Sequence, residues 1–138
     1  MYLFKTSGAT FASVVDNQKH AFRGHPRDWH VGEIVLVSKN RADCGKSERQ
    51  IQYTMALESI RPIKPGESER YWPRTEGRWR YLVECRDTRR IIKPFNLDEA
   101  LGIAAREYSP VMTFTRLKQE HEEQVRAFLK RRQPELLP

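Results

Sequence analysis

The sequence predicts an α+β domain: a small, curved, mostly antiparallel β-sheet or barrel with peripheral helices. Three observations predict it. Period-2 alternation of apolar and polar residues recurs in several stretches, and Ile34, Val35, Leu36 and Val37 form a β-prone run apolar on both faces. Helical spacing is confined to three segments that do not alternate regularly with the strands, which argues against a doubly wound parallel sheet. At 138 residues the length suffices for a single core, and 38% hydrophobic content leaves little to spare for a second. A single domain over residues 1–133 is expected, with a fraying tail over 134–138.

The elements follow in order. Tyr2 to Ser7 is β-prone, with Tyr2 and Phe4 on one face and Leu3 on the other. Thr10 reads as the N-cap of a short helix carrying Phe11, Val14 and Val15. His20 to His30 is polar and turn-rich and predicts an exposed loop with three solvent-facing histidines. Glu33 to Lys39 is a buried strand, and Asn40 to Glu48 a polar loop. Ile51 to Ile63 reads as a long strand with Ile51, Tyr53, Met55 and Leu57 on one face. Pro65 to Gly77 is a basic loop. Trp79, Tyr81, Val83 and Cys85 alternate with polar positions as a further strand, Asp87–Thr88 is expected to turn the chain, and Arg90 to Ile92 to pair back. Asn96 with Glu99 three residues on resembles a capping box opening a short helix. In the last helix Leu117, Val125, Phe128 and Leu129 share a face, with glutamates early and basic residues late, as the helix dipole favours.

Lys and Arg number 25 against 18 Asp and Glu, a net charge of +7, which points to an anionic partner. No apolar run is long enough to span a bilayer and no secretory signal is visible. With only two, distant cysteines, a disulfide scaffold is excluded and a reducing cytoplasm is expected. His20, His25 and His30 recur every five residues around Pro26, and no CxxC is present, so no metal site is expected. There is no G-x-S-x-G, Walker A or GxGxxG pattern; no nucleophile and no cofactor are expected. Cys85 reads as core, and Cys44 lies in a polar loop beside Lys46.

What remains is basic residues interleaved with aromatics, the combination that neutralises phosphates and stacks on exposed bases. One group is His20, Phe22, Arg23, His25, Arg27 and Trp29; a second is Ser38, Lys39, Asn40 and Arg41; a third runs from Arg70 through Tyr71, Trp72, Arg74, Arg78 and Trp79 to Arg80. An extruded base needs stacking faces and fixed polar groups, which Ser38 and Asn40 could supply. For each aromatic the competing role is core packing.

The order YLFKTS, TFASVVDNQ, HAFRGHPRDW, VGEIVLVSKN, IQYTMALESIRPI, GRWRYLVEC, IIKPFNL, TFTRLKQEHEEQVRAFL resembles an EVE domain, of the PUA-like superfamily that includes YTH and ASCH domains, over nearly the whole chain. The resemblance implies a nucleic-acid-binding module, in some relatives a reader of flipped methylated or hydroxymethylated cytosine in DNA. It places the base pocket at Lys5, Thr6 and Ser7, at Phe22 or Trp29, at Ser38 and Asn40, and at Trp79. Backbone contacts are expected from Arg23, Arg27, Lys39, Arg41, Arg74, Arg78 and Arg116. The chain has phenylalanine at 22, where many relatives carry tryptophan. A non-catalytic reader of a modified base in DNA is thus the leading expectation, with a nuclease or NTPase as a possible effector partner. An RNA-binding module is the alternative. An ASCH-like enzyme acting on a modified nucleoside or RNA would need a lysine and a carboxylate to converge, Lys5 with Glu33 or Glu84 being the candidates. A protein partner is the remaining possibility.

Overall fold

A computed structural model describes residues 1–25, 27–39, 50–109 and 114–136. Among these residues six strands form one sheet in the order β2-β5-β4-β3-β1-β6. They are β1 (Tyr2–Thr6), β2 (Lys19–Phe22), β3 (Ile34–Lys39), β4 (Ile51–Pro62), β5 (Tyr81–Phe95) and β6 (Phe114–Arg116). Only β1 and β3 pair in parallel; every other neighbouring pair is antiparallel. The helices are α1 (Phe11–Asn17), α2 (Glu67–Tyr71), α3 (Leu97–Leu101) and α4 (Gln119–Arg132), with a 3-10 segment over Gly102–Tyr108.

The sheet curls on itself. Edge strands β2 and β6 share no ladder, yet Phe22 and Phe114 bring their rings within 4.8 Å, and Phe4 of β1 lies 5.7 and 4.6 Å from the same two rings. An aromatic seam thus closes a half-barrel whose inner face buries Tyr2, Phe4, Val35, Val37, Met55 and Leu57, plugged by Phe11 and Val14 of α1. The outer face buries Leu3, Leu36, Ile91 and Phe95 beneath α3, the 3-10 segment and α4, which contributes Val125 and Leu129. A third cluster, Ala21, Leu82 and Trp72, sits beneath α2.

Several elements differ from expectation for physical reasons. The segment from His20 is not an exposed loop: His20, Ala21 and Phe22 are buried in edge strand β2, because the histidine occupies an apolar position and its ring lies 5.4 Å from Phe4. His25 and His30 are exposed. Ile51 faces the outer core while Tyr53 and Met55 face the inner, since the register shifts between Ile51 and Tyr53. The basic loop contains α2. Asp87 does not turn the chain back. It adopts φ 53 beside a register shift, so a bulge absorbs it and β5 continues for 15 residues. Trp79 precedes β5 and packs with the third cluster rather than with Tyr81 and Val83. The Asn96–Glu99 pair is present, with the Asn96 N–H donating to Glu99 Oε2 at 2.8 Å. Strand β6 was not expected; its three residues read as the approach to α4.

The expected fraying tail packs over Pro134–Leu136, where Leu136 is buried and its carbonyl accepts from Arg89 Nη1 at 2.9 Å. Just before it, Gln133 is buried and acts as a substitute strand for the open edge of β5. Its Oε1 accepts from the Ile92 N–H at 2.9 Å and its Nε2 donates to the Lys93 carbonyl at 2.9 Å. Gln133→Ala should cost about 1–3 kcal/mol by leaving both backbone groups without these bonds. Denaturant midpoints check this, and Gln133→Glu, which keeps the acceptor alone, should fall between. No described helix is long and apolar enough to cross a membrane.

Candidate functional site

Strands β1, β3 and β5 run the same way, since β1 pairs parallel with β3 and both β3 and β5 pair antiparallel with β4. Their C-terminal ends therefore meet at one end of the sheet, where α3 and the 3-10 segment leave β5. The open space there is a cleft of about 560 Å³. Lys5 and Ser38, which are register partners on β1 and β3, line its sheet side together with Lys39. Asn96, Asp98, Ile103 and Arg106 line the opposite wall. Among the described residues the lining thus carries three cations, Lys5, Lys39 and Arg106, against one carboxylate, Asp98. Ile103 is 76% exposed, an apolar side chain left on the cleft wall.

Its groups are positioned by the fold. Lys5 Nζ donates to the Tyr108 carbonyl, tying β1 to the end of the 3-10 segment. Tyr108 is itself held by hydrogen bonds, its hydroxyl 2.6 Å from His121 Nδ1 and accepting from the Lys118 N–H at 2.9 Å. Lys39 Nζ lies 5.4 Å from the Phe11 ring centroid. Ser38 is 4% exposed.

The fold disperses the sequence-predicted residues. Lys5, Ser38 and Lys39 come together in the cleft. Thr6 is fully buried, and Ser7 Oγ lies 2.7 Å from Thr10 Oγ1 at the entry to α1. Phe22 does not present a stacking face: at 5% exposure it belongs to the aromatic seam. Trp29 packs partly buried against the inner core. Arg23, Arg74, Arg78 and Trp79 belong to the region of α2 and the start of β5, away from the cleft. Arg27 is exposed, and its carbonyl accepts from the Tyr2 hydroxyl at 3.0 Å. Arg116 is committed to structure, donating to Glu33 Oε1 at 2.7 Å and to the Asp28 carbonyl at 2.5 Å. Asn40, Arg41 and Cys44 lie outside the described residues.

Neither carboxylate considered for catalysis meets Lys5. Glu33 also accepts from the Met1 amino group at 3.0 Å; burial pushes its carboxyl up, but that amino group, the His30 N–H and Arg116 together hold it below the usual range. Glu84 is bound by Arg61 Nε at 2.8 Å and by the Ser59 hydroxyl at 3.0 Å, which outweigh its burial and lower it. The Cys85 thiol is pushed up to about 12, by burial first and then by Glu58 and Glu84, which makes it inert as a nucleophile. Among the described residues no cluster of His, Cys, Asp or Glu could hold a metal.

The sequence did not single out Asp98, Ile103 and Arg106, and it read Asn96 only as a helix cap. The signal that would have found them is strand direction. A turn at Asp87 would have sent Phe95 and Asn96 to the other end of the sheet; the bulge delivers them beside Lys5 and Ser38.

No protein-family model matches the chain, and no curated protein matches it. Solved structures do. A tyrosine-to-phenylalanine variant of an ASCH protein from Zymomonas mobilis superposes with TM-score 0.65 at 17% identity, covering 91% of this chain and 96% of that one. The unsubstituted ASCH protein gives TM-score 0.62 at 16% identity over 91% and 93%. A serine-to-alanine variant gives 0.65 at 17% over 92% and 94%. At these identities the likeness is one of fold and does not single out EVE domains within the superfamily. The chain has the curled α+β fold of PUA-like domains, in the form seen in ASCH structures.

Proposed function

We propose that the chain is a nucleic-acid-binding module that takes a nucleotide into the cleft between the ends of β1 and β3 and the α3–3-10 segment. The observation that carries this reading is the lining: among the described residues, three cations and one carboxylate around a hollow of nucleotide-admitting size. Lys39 and Arg106 would meet phosphate, Ile103 would lie against a base face, and Ser38 and Asn96 would meet base-edge groups. The overall charge of +7 supports an anionic partner, as does the PUA-like resemblance.

Recognition of a modified cytosine in DNA by base flipping is the narrower form of this proposal. The described cleft supports it through edge contacts rather than an aromatic sandwich, because Phe22 is occupied in the seam and Tyr108 is buried. A second reading has one observation in its favour. Lys5 and Asp98 line the same cleft, so a lysine and a carboxylate do share a site, as acid–base chemistry on a modified nucleoside would require. Product release abolished by Asp98→Asn would establish that reading.

The test is equilibrium binding of matched RNA and DNA oligonucleotides, with unmodified and modified bases at one position, at fixed salt. The double variant Lys39→Gln, Arg106→Gln should weaken binding at least tenfold and reduce the salt slope by about 1.4 for single strands. Equal binding by wild type and variant would overturn the cleft assignment. A strict need for the 2′-hydroxyl would decide for RNA.

A further inference from the structure

We propose that the chain carries a second nucleic-acid contact, a basic and aromatic surface built by α2 and the turn after it, separate from the cleft. It rests on the reading that the partner is nucleic acid. Residues Arg78, Trp79 and Arg80 lead into Tyr81, the end of β5 opposite to the cleft, and Arg23 follows Phe22, which pairs with Tyr81. Arg23 Nε donates to the Arg78 carbonyl at 3.2 Å, joining the two segments. Arg70 and Arg74 stand on α2 and just after it.

What distinguishes this surface is how its acids are used. The segment contains Glu67, Glu69 and Glu76, and all three turn towards structure. Glu67 is clamped by both terminal nitrogens of Arg61, at 2.8 and 2.6 Å. Glu69 accepts from the backbone N–H of Arg74 at 2.8 Å and of Glu76 at 3.0 Å. Glu76 accepts from the Gly66 N–H at 3.2 Å. Among the described residues, Arg23, Arg70, Arg74, Arg78 and Arg80 form no ion pair, and all five are exposed. The carboxylates therefore fix the loop while the guanidinium groups face outward. Two half-buried aromatics lie among them: Arg78 sits 5.4 Å from the Trp79 ring centroid, and Arg70 and Lys19 sit 5.6 and 5.4 Å from that of Tyr71. Exposed guanidinium groups beside aromatic rings, outside any close ion pair among the described residues, match a phosphate backbone carrying unpaired bases.

The surface and the cleft lie at opposite ends of β5, so one strand engaging both must be long. Binding of roughly 4- and 16-nucleotide single strands tests this, at fixed and at varied salt. In the wild type the longer strand should bind at least tenfold more tightly, through the second contact. The triple variant Arg70→Gln, Arg74→Gln, Arg78→Gln should lose most of that length advantage and reduce the long-strand salt slope by about 2. Its binding of the short strand and its thermal midpoint should stay close to wild type. A control of similar charge change on α4, Lys130→Gln with Arg131→Gln, should keep the length advantage. If the wild type binds both lengths and the triple variant keeps the advantage, or the α4 control loses it equally, the second contact is overturned while the cleft reading stands. If the wild type binds neither length, the nucleic-acid reading itself fails, and this proposal with it.

Discussion

Phe4→Ala is expected to lower the unfolding free energy by about 4 kcal/mol. Phe4 is fully buried, and three rings surround it: His20 at 5.4 Å, Phe22 at 5.7 Å and Phe114 at 4.6 Å. Two of those rings belong to β2 and the other to β6, the sheet's edges, which no backbone ladder joins. Deleting the Phe4 ring therefore removes both the buried area and the contact that holds the two edges together. Domains of this size are stable by only about 5–15 kcal/mol, so the loss is a large share of the total. Ile103→Ala, at an exposed position, should stay within about 0.5 kcal/mol. Denaturant unfolding of both variants checks the contrast. A loss below about 1 kcal/mol for Phe4→Ala would show that the seam is held by something other than this ring.

The second large effect is on pH dependence. His20 is buried in that same seam, its Nδ1 accepts from the Ala21 N–H at 2.9 Å, and its Nε2 makes no well-formed hydrogen bond among the described residues. Burial lowers its pKa from 6.5 to about 4, against an opposing pull from the Lys5 backbone. Between these values the unfolded chain binds a proton that the folded chain refuses. Stability therefore rises with pH across this window, is fully present above it, and is lost as pH falls. The full loss is about 3 kcal/mol. Carboxylates also titrate as the protein is acidified, but Glu67, held down to about 2 chiefly by its hydrogen bond to Arg61, loses its contribution only below the usual carboxylate range. The interval from about pH 6.5 to 4.5 is thus dominated by histidine. Unfolding free energies measured across it should slope in the wild type and flatten markedly in His20→Phe. An unchanged slope in the variant would remove His20 as its source.

The sequence was most legible where chemistry and period agree. The run Ile34 to Val37, the even positions of β1 and the acid-to-base gradient of α4 all placed their elements correctly, because burial on known faces fixes them. It was least legible where a polar residue is buried or a turn residue does not turn. His20 carries an apolar role that its chemistry hides. Asp87 carries a turn signal, yet the long pairing of β5 with β4 on both sides of it outweighs that local preference. This second misreading also hid half of the site. Lys5, Ser38 and Lys39 could be read as polar strand ends, but Asn96, Asp98 and Arg106 reach them only because β5 keeps its direction through the bulge. The aromatics failed as site markers for a simpler reason. A curled six-stranded sheet needs large rings to fill its interior, and Phe22 is used there.

The most direct test of the cleft is to locate a bound nucleotide on the protein. Backbone amide shifts should be followed by NMR while a short single-stranded RNA, and then its DNA counterpart, is titrated in at constant salt. Binding in the cleft predicts that the largest changes fall on residues 5, 38, 39, 96–98 and 102–109, with the amides of β2 and the inner core unmoved. Changes confined to other surfaces, or none at concentrations where a basic domain binds at all, would contradict it.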